Sequence, residues 1–362
     1  MQSTSETRTS PEPAEELVLT EVAGAIGRIR LNRPKALNSL TLSMVRDIEA
    51  ALDEFEADDG IAAVLITGEG ERGLCAGGDI RAFYEGGKSG SDLPVTFWAE
   101  EYRMNARIHR LKKPYIALMD GIVMGGGVGV SVYGSHRIVT ERTRFAMPET
   151  GIGFFPDIGG SWFLSRQRNE LGTYAGLTGS QLAAADVITL GLADFYVQSE
   201  RLPALIDALT TLAPGSTRAD ISALIRGFEA GLPRGKLEQD KTLIDQTFAF
   251  DVMEDIFAVL QRNESPFAIE TLKVLKSKSP LSLKVTLKLL RLGRHTTLLE
   301  ECLEREFAAT AAVLKSDDFY EGIRAAVIDK DRNPRWKASS LAEVTAEEVD
   351  AFFPKAESRL FT

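Results

Sequence analysis

A short continuous apolar run, Ala62-Ala63-Val64-Leu65-Ile66, limits the fold of this chain more than any other feature, and the same pattern returns at Tyr115 to Met119 and Arg137 to Thr140. Such runs suit strands buried on both sides, as in a parallel sheet with helices on its faces. Helical periodicity lies between them, near Phe97 to Leu111 and from about Gly126 to Tyr133. Strands alternating with helices give an α/β fold. Ahead of these, Leu17 to Val22 and Ile26 to Leu31 read as a hairpin turning at Ala23-Gly24-Ala25. Beyond Asn32-Arg33-Pro34, Thr41 is placed to cap a helix whose Met44, Ile48, Ala51, Leu52 and Phe55 share one face, ending near Asp58-Asp59-Gly60.

The rest of the chain divides by composition. Residues 1–16 are rich in Ser, Thr, Glu and Pro, too poor in large apolar side chains to offset the entropy of ordering, and are expected to be a disordered tail. Residues 17–201 form the α/β core. From 202 to 355 the apolar spacing is mostly three and four, so this stretch is read as helices packed on the core within the same domain, with 356–362 as a second tail.

Charge and residue usage exclude several functions. A formal charge of −10 over 362 residues opposes nucleic-acid binding, although a few local cations and backbone N–H groups can still hold a small anion. No run reaches the roughly 18–20 apolar residues that span a bilayer, no signal-peptide pattern opens the chain, and a cytoplasmic location is expected. Cys75 and Cys302 stand far apart, and His109, His136 and His295 show no ligand spacing, so neither a disulfide framework nor a metal site is expected. No P-loop or G-x-S-x-G signature occurs, and neither glycine-rich segment places a GxGxxG in a βαβ unit as a dinucleotide site requires.

Three segments could carry chemistry. Cys75-Ala76-Gly77-Gly78-Asp79-Ile80 and Met124-Gly125-Gly126-Gly127-Val128-Gly129 each follow a strand and lead toward a helix. Glycine there lets a backbone approach a ligand, and free N–H groups at a helix start can stabilise an oxyanion; tight turns would need the same residues. The third segment runs from Phe145 to Gly160 and sets Glu149 and Asp157 among apolar and glycine residues. Desolvation there could tune the two carboxylates for acid, base or nucleophilic work, or they could simply cap turns.

Taken in order, these segments resemble the crotonase superfamily, also called the enoyl-CoA hydratase/isomerase family. The resemblance rests on Leu31-Asn32-Arg33-Pro34, Asn38, the Cys75–Ile80 loop, Gly125-Gly126-Gly127 and Pro148-Glu149. A second set is similar to the branch that hydrolyses 3-hydroxyisobutyryl-CoA: Ser282 to Thr286, Asp318 to Ala325, Ile328 to Asp331 and Pro334-Arg335-Trp336.

The resemblance implies a spiral of ββα turns with a helical C-terminal region, and a thioester carbonyl held by the N–H groups of Gly78 and Gly126. Backbone near Lys35, Ala36 and Leu37, with Ala76, would receive the adenine end of CoA, and Arg33, Lys35 and Lys330 would meet phosphate or ribose. Hydratases of the family use two glutamates; the first would fall at Gly129, and only the second stands here, as Glu149. The hydrolase branch keeps that glutamate and adds an aspartate, matched by Asp157, and a pocket glutamate, matched by Glu101. The implied reaction is hydrolysis of 3-hydroxyisobutyryl-CoA, and of the 3-hydroxypropionyl thioester, in valine breakdown. Neither metal nor redox cofactor is required, coenzyme A being part of the substrate. The implied assembly is a homo-oligomer, a trimer or hexamer. An enoyl-CoA isomerase working with one carboxylate, and an idle acyl-CoA-binding protein, are the rival readings.

Overall fold

The computed structural model describes residues 16–167, 169–354 and 360–361. The tail expected at 1–16 falls outside them except for Glu16, as does most of that expected at 356–362. A six-stranded sheet runs in the order β1 (Val18–Ala23), β2 (Ile26–Leu31), β3 (Ala63–Gly68), β5 (Tyr115–Met119), β7 (His136–Val139), β9 (Phe195–Tyr196). The hairpin β1–β2 is antiparallel and every later pairing is parallel.

The run at 62–66 is apolar throughout because β3 is covered twice. Val64 and Ile66 join the main core, while Ala63 and Leu65 face the opposite side with Ile116 and Ile138. There they meet Leu205 and Leu209 of the helix Leu202–Leu209 and Ile221 and Ile225 of the helix Arg218–Arg226. Full burial of each such side chain contributes roughly 1.5–3 kcal/mol. On the main face lies α1 (Leu42–Ala57), its start capped by Thr41, whose hydroxyl accepts from the Met44 N–H at 3.3 Å.

The sequence gives no hint of a second sheet, in which β4 (Gly73–Cys75), β6 (Ile122–Met124) and β8 (Arg144–Ala146) lie parallel in that order. Strands of three residues leave too little pattern to read. Each is followed by one of the three chemistry-bearing segments, so those segments emerge side by side at the C-terminal ends of parallel strands. Two helices complete this half, α2 (Ile80–Ser89) and α3 (Leu93–His109). The helix expected over 126–133 is confined to α4 (Gly126–Gly129), and turns carry the chain on to Tyr133.

Beyond residue 202 the described chain is mostly helical, with no named strand, and packs back over the elements around the site. Leu299–Val313 packs on α3, Pro280–Gly293 on the short helix Gly160–Phe163, and Asp317–Ile323 on both α2 and the turn Glu149–Ile152. Near the end, Leu360 is buried; its N–H and that of Phe361 donate to Glu304, each at 2.8 Å. Among the described residues no helix is long and apolar enough to cross a membrane.

Candidate active site

A cleft of about 470 Å³ opens where the three loops meet, walled by Ala36, Leu37, Ala76, Gly78, Glu101, Gly126, Glu149 and Asp157. Asn38 holds its near wall together. Its Oδ1 accepts from Arg33 N–H (2.9 Å), and its Nδ2 donates to the carbonyls of Glu69 (3.0 Å) and Gly73 (3.1 Å). Leu37 and Ala76 are joined by the Ala76 N–H donating to Leu37 O at 3.0 Å.

Gly78 and Gly126 each bring a backbone N–H to the border of this space. Gly77 has φ +111° and Gly125 φ +48°, conformations that a side chain would strain, and they turn the following residues toward each other. A Cβ built on Gly126 would lie 3.4 Å from Gly78 N, so the two amides are neighbours. Among the described residues neither N–H has a hydrogen-bond acceptor. That of Gly126 is one of the orphan donors at the start of a helix.

The carboxylates converge on the same space. Glu149 opens a 3₁₀ turn, Glu149–Ile152, directly after β8 and Pro148; it is 5% exposed, and its Oε2 is buried without a partner. Glu101 stands on the buried stripe of α3, with Oε1 unpartnered and 2.4 Å from where a Cβ of Gly126 would be. Asp157 accepts from the Tyr102 hydroxyl at 2.8 Å. Burial pushes the Glu149 carboxyl well above the usual range, with Asp157's charge acting in the same direction and Lys278 against it. Burial raises Glu101 as well, helped by Asp157 and Glu149, and raises Asp157 against the pull of the Tyr102 hydrogen bond. Three carboxyls crowded together away from water oppose one another's ionisation.

The same cleft has an apolar wall: Trp98 stacks on Phe154 with ring centres 5.5 Å apart, and Phe319 leans on both.

Of the expected CoA contacts, Arg33, Ala36, Leu37 and Ala76 line the cleft. Arg33 is already engaged, with its guanidinium 2.8 Å from Asp79 and donating to the Ser39 hydroxyl at 2.9 Å. Lys35 and Lys330 are exposed and lie outside the cleft wall, so any contact they make is with a part of the ligand that projects from it. Gly129 faces α3, where a Cβ would meet Asn105 Nδ2 at 2.7 Å, and no carboxylate occupies that position. Among the described residues no group of three His, Cys, Asp or Glu side chains could hold a metal ion.

Sequence reasoning passed over Tyr102, Lys278 and Glu306. Glu306 is fully buried and accepts from Gly159 N–H (2.7 Å), Ser161 N–H (2.9 Å) and the Ser161 hydroxyl (2.5 Å), pinning the loop that carries Asp157. Burial pushes its carboxyl up to about 8, against those three donors. A signal for it existed: it shares the buried stripe of its helix with Leu299, Cys302, Leu303 and Ala309, where a charge has no reason to sit without a partner.

This arrangement of paired backbone donors and buried carboxylates at the ends of a small parallel sheet has known counterparts. The family model described as enoyl-CoA hydratase/isomerase matches residues 26–353, and the chain belongs to that family. It is 43% identical over 350 residues to the mitochondrial 3-hydroxyisobutyryl-CoA hydrolase of Rattus norvegicus, covering 94% of this chain and 90% of that protein. To the Homo sapiens protein of the same name it is 43% identical over 345 residues, covering 94% and 89%. Among solved structures, a carnitinyl-CoA dehydratase from Mycobacterium thermoresistibile superposes with a TM-score of 0.90 at 42% identity, covering 96% of this chain and 99% of that one. An enoyl-CoA hydratase from Rhodobacter sphaeroides gives 0.85 at 40%, covering 93% and 97%. The crotonase-type α/β fold and the hydrolase branch expected from the sequence are those the comparisons support. The hydrolases' names place those relatives in mitochondria and lend no support to the cytoplasmic expectation.

Proposed function

We propose that the chain hydrolyses the thioester of 3-hydroxyisobutyryl-CoA, and that of 3-hydroxypropionyl-CoA, to free CoA and the hydroxy acid, a step of valine breakdown. One observation supports this most directly: two acceptor-free N–H groups, at Gly78 and Gly126, share a cleft with a buried carboxylate, Glu149, that has an oxygen to spare. Fixed donors of this kind favour a tetrahedral oxyanion over the ground-state carbonyl, and removing one typically costs ~10²–10³ in rate.

In the route we favour, the Glu149 carboxylate attacks the thioester carbonyl, whose oxygen takes the negative charge between Gly78 and Gly126. Collapse breaks the C–S bond and leaves an anhydride between Glu149 and the acyl group. The departing thiolate takes a proton from Asp157, which burial keeps partly protonated. Water then splits the anhydride at the protein carbonyl, and its protons pass to Asp157 and the product acid. Glu101, in the same group of carboxyls beside Gly126, accepts a hydrogen bond from the substrate β-hydroxyl. The rates owe much to placement, since a weak nucleophile beside a fixed electrophile gains effective concentration.

A second reading comes from the solved relatives named as a dehydratase and a hydratase. Gly129 weighs against it, because adding or removing water across a double bond calls for a second acid/base group, and Asn105 fills the space where one would project. Buried, free Cys75 and Cys302 fit a thiol-reducing compartment, cytosolic or organellar, and a homo-oligomer is the assembly we propose, to be read by light scattering.

Thiol release from a panel of acyl-CoA esters tests the assignment. Fast release is expected from 3-hydroxyisobutyryl-CoA, slow release from palmitoyl-CoA and little hydration of crotonyl-CoA. Efficient loss of the crotonyl absorbance without thiol release would assign the chain to the hydratases instead.

A further inference from the structure

Lys278 lies in the link between the helices Pro266–Lys276 and Pro280–Gly293. Its neighbour Ser279 fastens that link to the Glu149 turn, donating its N–H to Thr150 O at 3.2 Å, and its hydroxyl donates to Asp318 at 2.5 Å. The ammonium rests against Gly151, within the turn, and Gly179, which ends the helix Leu171–Thr178: a Cβ on Gly151 would come within 3.4 Å of Nζ, and one on Gly179 within 3.5 Å. At either position a Cβ would make ordinary van der Waals contact with the ammonium, which fixes Nζ against the backbone of the turn. Lys278 does not line the cleft.

A half-buried ammonium is usually paired, because desolvating a charge is expensive. Among the described residues Lys278 Nζ takes part in no ion pair or hydrogen bond, and the carboxylate whose charge it feels is Glu149. Burial lowers the lysine from its ordinary range, and Glu149 pulls it back up. Of the other charges near Glu149, those beside it are acidic and the cations stand on the outer wall of the cleft. Asp157 and Glu101 are acidic, and the helix Leu171–Thr178 bears no charged side chain. From the helix Asp317–Ile323, Asp318 is occupied by Ser279 and the Lys337 N–H. On the outer wall Arg33 is paired with Asp79, and Arg81 donates to Val327 O.

We propose that Lys278 is a positioning residue for the hydrolysis assigned above: from behind the Glu149 turn it supplies the positive charge that keeps the Glu149 carboxylate ionised among its acidic neighbours, without touching substrate. The dependence has a definite sign. Removing the cation makes Glu149 harder to ionise, so the acid limb of the rate profile moves to higher pH. Well above that limb Glu149 ionises unaided and the rates converge.

The test compares Lys278→Met, Lys278→Gln and Lys278→Arg with the parent, full-length and unmodified. For Met and Gln the acid limb of kcat/KM is expected to rise by about one pH unit, the scale of a nearby opposite charge. The alkaline plateau should stay within about threefold and Arg should restore the limb. Carbon-13 titration of glutamate-labelled protein, with the Glu149 signal identified by its loss in Glu149→Gln, reads the same shift without turnover. It therefore remains decisive if the parent releases no thiol, an outcome that would overturn the hydrolase reading and not this one. Folded Met and Gln variants in which the Glu149 titration is unmoved, or in which the rate falls equally at every pH, would overturn the proposal. Gln stands beside Met so that a folding failure of either leaves the other to report.

Discussion

The two halves of the active site are built in different ways. The backbone half, Gly78 and Gly126, takes its geometry from strands β4 and β6, which end within a few residues of it. The carboxylate half takes its geometry from far along the chain: Glu306 pins the Asp157 loop and Lys278 backs the Glu149 turn, both from the helical region beyond 202. A local device can be carried by the conformational freedom of a few glycines. Buried negative charges need partners from every side, and a small sheet cannot supply them alone.

Perturbing each half should separate their contributions. The largest effect is expected for Glu149→Gln, which keeps size and polarity and removes the proposed nucleophile: kcat falls by about 10³ or more while KM stays within about threefold. Steady-state kinetics read both. Next is Gly126→Ala, whose Cβ would press on Glu101 Oε1, the far end of a flexible side chain, so the fold should survive. Its expected loss is about a hundredfold in kcat, the scale of one displaced oxyanion donor. An equal loss of thermal stability would show instead that this half is not a local device.

Glu306→Ala probes the remote support. It strands the N–H groups of Gly159 and Ser161, at a cost of roughly 1–3 kcal/mol for each buried donor left unpaired. Calorimetry should show the loss, and kcat should fall by about tenfold as Asp157 loosens. The same residue sets a pH dependence. Its folded-state proton affinity is raised from the ordinary 4.5 to about 8, so the native state binds more protons than the unfolded chain between those values. Stability from this group is therefore highest on the acid side and declines as pH rises toward about 8. Glu306→Gln should flatten that decline, and an unchanged slope would remove Glu306 from the account. The smallest effects belong to exposed Lys35 and Lys330, whose alanine variants should raise KM by less than about threefold and lose even that at high salt.

The sequence reveals more of the local half than of the remote one. Glycines at 77, 78, 125 and 126 record a backbone requirement at the position where it acts, and the run at 62–66 records burial on both faces. The sheet β4–β6–β8 leaves no comparable trace because its strands have three residues each. Tyr102 follows Glu101 in the chain, yet its partner Asp157 is 55 residues away, and only the folded structure joins them. Glu306 was open to detection as a charge on an apolar stripe. Lys278 was not, since a lysine in a polar link beside Lys276 and Ser277 resembles any solvated surface charge.

In the proposed route Glu149 itself attacks the thioester while Gly78 and Gly126 hold the oxygen. One turnover in heavy-oxygen water, with enzyme in excess over 3-hydroxyisobutyryl-CoA, tests it most directly when the peptide containing Glu149 and the released acid are both weighed by mass spectrometry. Attack of water on the protein carbonyl of the anhydride predicts label in the Glu149 carboxylate and none in the acid. Label in the acid alone would contradict this route and make Glu149 a general base for water.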